Sequence, residues 1–531
     1  MSFETDRFSD PTLDPEYVAY LVDRQAESDA GRLERLWSYF LNPMSPAAEI
    51  AGVVNADSRP YVQAQEFGLP PRITGVQRAG RAPRELTDLR RKEVVIENDI
   101  AWRVHAMVDF LFGRGVTVRS LAADAGLARA VERVVAGLLD ANGGVRFCQE
   151  IALLGAVYGF VDVSLRTPAG GPALQDPSRP PSPGQTDDAP EHPSGGDGAS
   201  RRPDISLPAA AVDRAVEAAG RVRFEPVEAP RIVPILHEDD YRVVRYWMQR
   251  YLKHPTRLAE QRRSWLPFNR TRRGPAPAVV EVVEIVGPAW WQRYEDRELA
   301  VEGPNPLGRV PVVHIQNLPL PGRYAGLGDV EPLMPLQDEL NTRLSDRANR
   351  VTFQSFKMYL GKGIDDFLER PVSPGQMWAT HNLDARIEEF GSDTGSPSED
   401  AHVEQVRQAM DKVSGVTPLA AGLIRGTVGN LTSATALKVV LGGLLAKTAR
   451  KRLTYGAGLR RLIELSLDWL DRTGALRTRP ADRKVEINWP SPLPADDGEQ
   501  LRNALTKREL GVPDEQVLAE LGYGRNAAVI E

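Results

Sequence analysis

Between residues 222 and 316 the chain offers one strand-length stretch after another, "RVRFEPV", "YRVVRYWMQRYL", "AVVEVVEIVG", "AWWQRYED" and "RVPVVHI", each alternating or running apolar between Pro and Gly turns. Short strands punctuated this way predict an antiparallel sheet module. On both sides of it the apolar spacing changes to three and four residues, the period of a helix packed on a core. The fold class is therefore α+β. Adjacent residues on a strand face opposite sides, so of Trp290 and Trp291 one is expected in the core and the other over a neighbour, with stacking on a base or sugar as the alternative.

The helical stretches can be placed from their seams. Helical spacing covers 16–41 and 87–112, the latter with Ile100, Val104, Val108 and Leu111 before a stop at Gly113. From Ala128 to Leu165 two helices are separated by Asn142-Gly143-Gly144 and end in the strand "FVDVSL". Residues 168–204, dominated by Pro, Gly, Ser and Asp, predict a disordered surface insertion, an interdomain linker being the alternative. Beyond Gly328, Leu333, Leu336, Leu340, Leu344, Ala348 and Val351 form the seam of a further helix. The pieces "KMYL", "QMWAT" and "ARIEEF" between Lys357 and Phe390 are too small to hold a core of their own. A second helix opens at Ser396, Pro397 and Glu399, with Val403, Val406, Met410 and Val413 as its seam. After the glycine-rich "SGVTPLAAGLIRGTVGNL" a long helix runs roughly from Ser433 to Leu470 and would extend about 57 Å. Kinks are expected at Gly442-Gly443 and Gly456 to Gly458. The tail reads as a strand, a proline turn and two short helices. A length of 531 residues favours two to four compact units.

Several function classes find no support. A formal net charge of −6 argues against gripping nucleic acid through a globally basic surface. One cysteine, Cys148, sits in an apolar run and excludes an internal disulfide. The start of the chain lacks a signal-peptide pattern and no apolar run approaches the ~20 residues of a membrane span, so the expectation is a cytoplasmic product with no membrane contact. The glycine-rich loop is not a phosphate-binding P-loop, because no Gly stands at the required spacing before a Lys and Lys438 is already helical. The seven histidines show no paired-ligand spacing, and the acidic pairs Asp239-Asp240, Asp365-Asp366 and Asp496-Asp497 read as solvated turns or helix starts. No nucleophile elbow occurs. The expectation is a protein with no catalytic residues, no metal and no cofactor.

The order of these segments, sheet module, helix, small αβ piece, helix, glycine-rich loop and long helix, resembles that of tailed-bacteriophage portal proteins. The residues that carry the resemblance are "NPLGRVPVVHIQN" leading through "GLGDVEPLMPLQDELNTRLSD", and "VSGVTPLAAGLIRGTVGNLTSATALK", which is similar to the family's "GNxSGxALK" loop and helix start. Weaker similarity lies in "NDIAWRVHAMVDFLFGRGVTV" and "INWPSPLPADDGEQLRNALTKRELG". Where the family often has Ser-Gly after the loop Asn, this chain has Thr432-Ser433 and then Ala434, and either hydroxyl can still cap the helix. The insertion at 168–204 is not part of the pattern.

The resemblance implies a wing over 1–328, stem helices over 329–356 and 396–415 with a clip over 357–395 between them, and a tunnel loop over 416–432. The long helix and wing return would follow over 433–490 and a helical crown over 491–531. It implies a ring, usually of twelve, at one capsid vertex of the virion, assembled in the host cytoplasm among major capsid and scaffolding proteins. Double-stranded DNA would pass through it. The large terminase subunit and later the head-completion adaptors would dock on the clip, where Lys357, Lys362, Asp365, Asp366 and Arg386 are the candidate contacts.

The residues themselves suit such a part. A clip too small to fold alone can complete its sheet with a neighbouring subunit in a closed ring. A net acidic chain lets DNA move where strong phosphate binding would hold it. In the loop, Gly426, Gly429 and Asn430 allow φ > 0 or several conformers, Arg425 is the cation able to meet phosphates, Thr427 and Asn430 add neutral donors, and Thr432 leads into the helix. An ordinary loop whose arginine forms a surface ion pair is the alternative. For the whole chain the alternatives are a multimeric scaffold without a channel and a metal-dependent nucleic-acid-processing enzyme.

Overall fold

The computed structural model describes residues 13–41, 95–167, 208–253, 279–355, 358–362, 383–384, 386–390, 397–421, 438–493, 497–514, 517–518 and 528–529. The proline-rich segment 168–204 lies outside them, as do Lys357, Asp365, Asp366, Arg425, Gly426, Thr427, Gly429, Asn430 and Thr432.

In chain order the elements begin with α1 (Pro15–Arg24), a π-helical turn (Gln25–Asp29), α2 (Ala30–Leu41), α3 (Asp99–Phe112) and β1 (Thr117–Ser120). Then come α4 (Ala125–Ala141), α5 (Gly144–Tyr158), β2 (Phe160–Arg166), α6 (Ala209–Ala219), β3 (Arg223–Val227), β4 (Ile232–Leu236) and β5 (Val244–Lys253). The run continues with β6 (Val280–Val286), β7 (Trp290–Glu295), β8 (Glu298–Pro304), β9 (Val312–Gln316), α7 (Met334–Ser355), β10 (Met358–Lys362), β11 (Arg386–Phe390) and α8 (Pro397–Ser414). It closes with α9 (Gly442–Arg472), β12 (Val485–Asn488), α10 (Asp497–Glu509) and β13 (Ala528–Val529). The chain divides into two compact units: Met1–Trp37, Arg103–Glu331 and Leu419–Glu531 form the first, Ser38–Trp102 and Pro332–Pro418 the second.

The first unit is built on an antiparallel meander, β4-β5-β6-β7-β8. Strand alternation gives it two unlike faces. On one, Tyr246, Met248, Val283, Ile285 and Tyr294 bury Val18 and Val22 of α1, which starts at Pro15 behind an Asp14 cap. On the other, Trp247, Gln249 and Glu284 are buried and must be satisfied. The Trp247 indole donates to Asp162 Oδ2 at 2.7 Å, and Glu284 pairs with Arg166 Nη2 at 3.2 Å while accepting from Gln249 Nε2. Asp162 and Arg166 belong to β2, whose seven residues are all buried. A buried strand needs partners on both edges, and β2 takes them from the ends of the 222–316 stretch: β3 on one side and β9 on the other. The stretch is therefore split between two sheets rather than forming the single module its spacing suggests. Trp291 is buried, and Trp290 covers Tyr246 with ring centres 5.9 Å apart, the division that strand geometry predicts.

The long helix corrects another expectation. A turn at Leu441 interrupts it before Gly442, as expected for Gly442-Gly443, but α9 runs unbroken through Gly456 to Gly458. There the missing side chain permits close approach: a Cβ on Gly458 would lie 2.4 Å from Ile315 Cδ1 of β9. The buried thiol of Cys148 is pushed up to about 12 by desolvation, in keeping with a core residue.

In the second unit α7 packs beside α8. The leucine seam is only part of the buried face, and Val351 is exposed. The most buried ridge is polar: Gln337, Asn341 and Ser345, spaced by four, are all at 0% exposure. They bind the non-helical residues 95–98 and the first amide of α3, where the helical spacing over 87–112 would have made helix. The Asp99 amide donates to Gln337 Oε1 at 3.1 Å, Glu97 to Asn341 Oδ1 at 3.1 Å and Val95 to Ser345 Oγ at 3.0 Å. Gln337 Nε2 donates back to the Glu97 carbonyl at 2.5 Å. The helix starts only after Asn98, whose Oδ1 accepts from the Ala101 amide at 3.0 Å.

Candidate functional site

Of the predicted docking residues, Lys362 and Arg386 are described, and the hairpin β10–β11 sets them directly opposite one another in its register. Among the described residues this sheet has two strands, and its small size is what made the segment a candidate for completion by another strand. The helices α7 and α8 that bracket it are cross-linked by charge. Arg347 Nη1 lies 3.0 Å from Asp400, Arg350 pairs with Glu399, and Glu339 takes Arg343 Nε at 2.8 Å and His402 Nε2 at 3.0 Å.

The six predicted loop residues lie outside the described structure, but the helix that follows them is held by a site which the sequence reading missed. Lys447, Lys451 and Tyr455 recur every fourth residue on α9 and so form one stripe. All three turn inward onto Asp329 and Asn317. Lys447 Nζ is 2.7 Å from Asp329 Oδ1 and Lys451 Nζ 2.5 Å from Oδ2. Asn317 donates to Asp329 Oδ2 at 3.0 Å and accepts from the Tyr455 hydroxyl at 3.2 Å.

Backbone contacts fix Asp329 in place. Its amide donates to the Ala156 carbonyl at 2.6 Å, while Asn317 N donates to the Gly159 carbonyl at 2.9 Å. Gly159 stands between α5 and β2 with φ +91°, and a Cβ there would meet the Gly326 carbonyl oxygen at 2.4 Å. Gly326 answers in kind, its virtual Cβ lying 2.6 Å from the Leu318 oxygen and 2.7 Å from that of Gly159. The chain can thread here only because both residues lack side chains.

Electrostatics explain why the cluster holds. Burial opposes ionisation of Asp329, yet Lys451 and Lys447 outweigh it and hold the carboxyl down at about 2. Two ammonium groups share one carboxylate, so Lys451 is pulled below its usual range by burial, against the attraction of Asp329 and with repulsion from Lys447 adding to the fall. Burial, then the nearby Asp329, raises the Tyr455 hydroxyl well above its usual value. The signal that could have revealed the site is the pair of lysines at i, i+4 on a stripe continued by Leu444, Leu459 and Leu462. The arrangement fastens a helix: each Asp329 oxygen faces an ammonium group in a buried site. Among the described residues no group of His, Cys, Asp and Glu could hold a metal ion, and no helix is long and apolar enough to cross a membrane.

The model of the family "Phage portal protein, SPP1 Gp6-like" matches residues 215–523, well over half of the chain, and spans α7, the hairpin, α8, the loop and the anchored helix. Among solved structures, a chain from the virion of a native gene transfer agent particle is similar at 12% identity with a TM-score of 0.37, covering 80% of this chain and 94% of that one. No curated protein matches by sequence. On the strength of the match across 215–523, the chain belongs to the SPP1 Gp6-like phage portal protein family.

Proposed function

We propose that the protein is the subunit of a portal ring at one capsid vertex of a phage-like virion, a conduit for double-stranded DNA during packaging and ejection. Family membership carries this reading. The buried Asp329–Lys447–Lys451 cluster supports it, because a loop that follows moving DNA needs a helix behind it that does not yield. The charge-linked α7–α8 pair presents the hairpin with Lys362 and Arg386, to which we assign, together with Lys357, Asp365 and Asp366, docking of the terminase motor and later of head-completion adaptors.

Mass photometry and negative-stain imaging of the purified protein test the reading. The expected result is a species of about 700 kDa, twelve copies of the 58.5 kDa chain, with an axial hole. A stable compact dimer without a hole would overturn it. Deleting 425–430 is expected to leave rings intact and to impair DNA packaging, read as the yield of nuclease-protected DNA in particles. Normal packaging would refute the assignment of Arg425, Gly426, Thr427, Gly429 and Asn430, with Thr432 at the helix entry, to a DNA-following loop.

A further inference from the structure

At the C-terminal end of α9 the chain turns through "TGALRTRPADRK", residues 473–484, and the surface reverses the sign of the molecule. Six cations, Arg309, Arg472, Arg477, Arg479, Arg483 and Lys484, belong to this region, and among the described residues their ion pairs run to three acids, Asp468, Asp471 and Asp482, in a chain whose formal net charge is −6. The charges are layered. Asp468 and Asp482 lie beneath at 7% and 5% side-chain exposure, while Arg309, Arg472 and Arg479 stand above them at 41%, 45% and 80%.

Arg483 is structural: at 11% side-chain exposure it bridges Asp468 and Asp471 and donates to the Thr478 carbonyl at 3.0 Å, which ties the turn back to the helix. Arg472 is tied in as well, its Nη1 donating to the Pro306 carbonyl at 3.2 Å, while Arg309 and Arg479 are held at one end only. Arg309 reaches Asp468 Oδ2 through Nη2 at 3.0 Å, and Arg472 reaches the same oxygen through Nε at 3.3 Å. Arg479 engages Asp482 through Nε at 3.1 Å, and its terminal amines have no partner among the described residues. Arg477 and Lys484 are exposed beside it. Folding of the turn accounts for Arg483 and Arg472 but gives no reason for the four cations around them.

We infer that this turn is a second, outward-facing contact for the phosphodiester backbone of duplex DNA, separate from the loop at 425–430. Planar guanidinium forks oriented by carboxylates beneath them match phosphate oxygens, and five of the six cations are arginine. Such a patch positions a duplex without reading its sequence. The choice of DNA over another polyanion rests on the portal reading.

Fluorescence anisotropy of a labelled duplex of roughly 20 base pairs, titrated with the full-length protein as purified over a range of KCl, tests the inference. In the double variant R477S/R479S two phosphate contacts are lost, so the slope of log K against log salt is expected to become shallower by about 2, equally for two unrelated sequences. Both side chains are exposed and Arg483 is retained, so thermal melting should be unchanged, and R477K/R479K should restore the slope. Unchanged affinity and slope would overturn the inference. So would binding that disappears with Arg425→Ser and not with the patch variant, a result that leaves the conduit reading intact. A polyglutamate peptide bound more tightly than the duplex at equal charge would assign the patch to an acidic protein partner and equally overturn it. Duplex binding lost on patch substitution in a protein that forms no ring would support the patch while refuting the conduit.

Discussion

Asp329→Ala is expected to destabilise the first unit by about 3 to 5 kcal/mol, read from urea denaturation followed by tryptophan fluorescence. The substitution removes one carboxylate and leaves Lys447 and Lys451, at 12% and 3% side-chain exposure, with no counter-charge in a site closed to water. Replacing all three with apolar residues of similar volume, D329L/K447M/K451M, should recover most of the loss, because the cost lies in the stranded charges. The pH dependence has a definite sign. The folded carboxyl is held at about 2, below the 3.8 of an unperturbed Asp, so its contribution is complete above about pH 4 and disappears as pH falls through 2. That difference is worth about 2 to 3 kcal/mol, less than the deletion cost because protonation keeps the hydrogen bonds that alanine removes. The gap between wild type and Asp329→Ala should therefore narrow as pH falls from about 4 to about 2, and a constant gap would show that the ion cluster is not its source.

Gly159→Ala is expected to be nearly as severe, costing about 3 kcal/mol or more. Its left-handed φ of +91° alone penalises a Cβ by about 1 to 2 kcal/mol, and the methyl group would stand 2.4 Å from a backbone oxygen that cannot rotate away. Gly322→Ala separates the two contributions. That residue also has positive φ, +78°, but a Cβ there meets nothing within 4 Å, so only the conformational part of the loss should be seen. Equal losses at the two positions would show that the Gly159–Gly326 crossing has room to relax. Denaturation midpoints of the two variants, measured side by side, decide between these outcomes.

The α+β character, the strands between 222 and 316 and most helix positions were legible because each depends on local periodicity and turn residues. Pairing was not. That β3 and β9 leave the meander to flank β2 follows from the burial of all seven β2 residues, which spacing within 222–316 cannot express. Gly456 to Gly458 were misread as a kink because glycine carries two meanings in a helix, weakness and close approach, and only the position of Ile315 selects the second. Asp329 stood inside a motif that pointed to the family, yet its partners are more than a hundred residues away on α9. Of the candidate contacts for a motor or adaptor, Lys362 and Arg386 are the two among the described residues, and the hairpin sets them opposite one another, a pairing that follows once its register is known.

The polar ridge of α7 has a geometric consequence of its own. It meets Val95, Glu97 and Asp99, alternate residues of the segment that leads into α3, with Ser345, Asn341 and Gln337, every fourth residue of a helix. Four helical residues advance about 6.0 Å and two extended ones about 6.6 Å, so the two repeats work as a pair of rulers with nearly equal graduations. A fully extended partner would be out by about 1.2 Å over three rungs and by about 2.4 Å over five, beyond any hydrogen bond's tolerance, and here the last step is shortened as the Asp99 amide turns back to the Glu97 carbonyl at 3.0 Å. Helix and ribbon can therefore be zipped together only over a short length. A slip of one residue would turn the wrong amides toward all three side chains, so this coupling also works as a key that admits a single alignment.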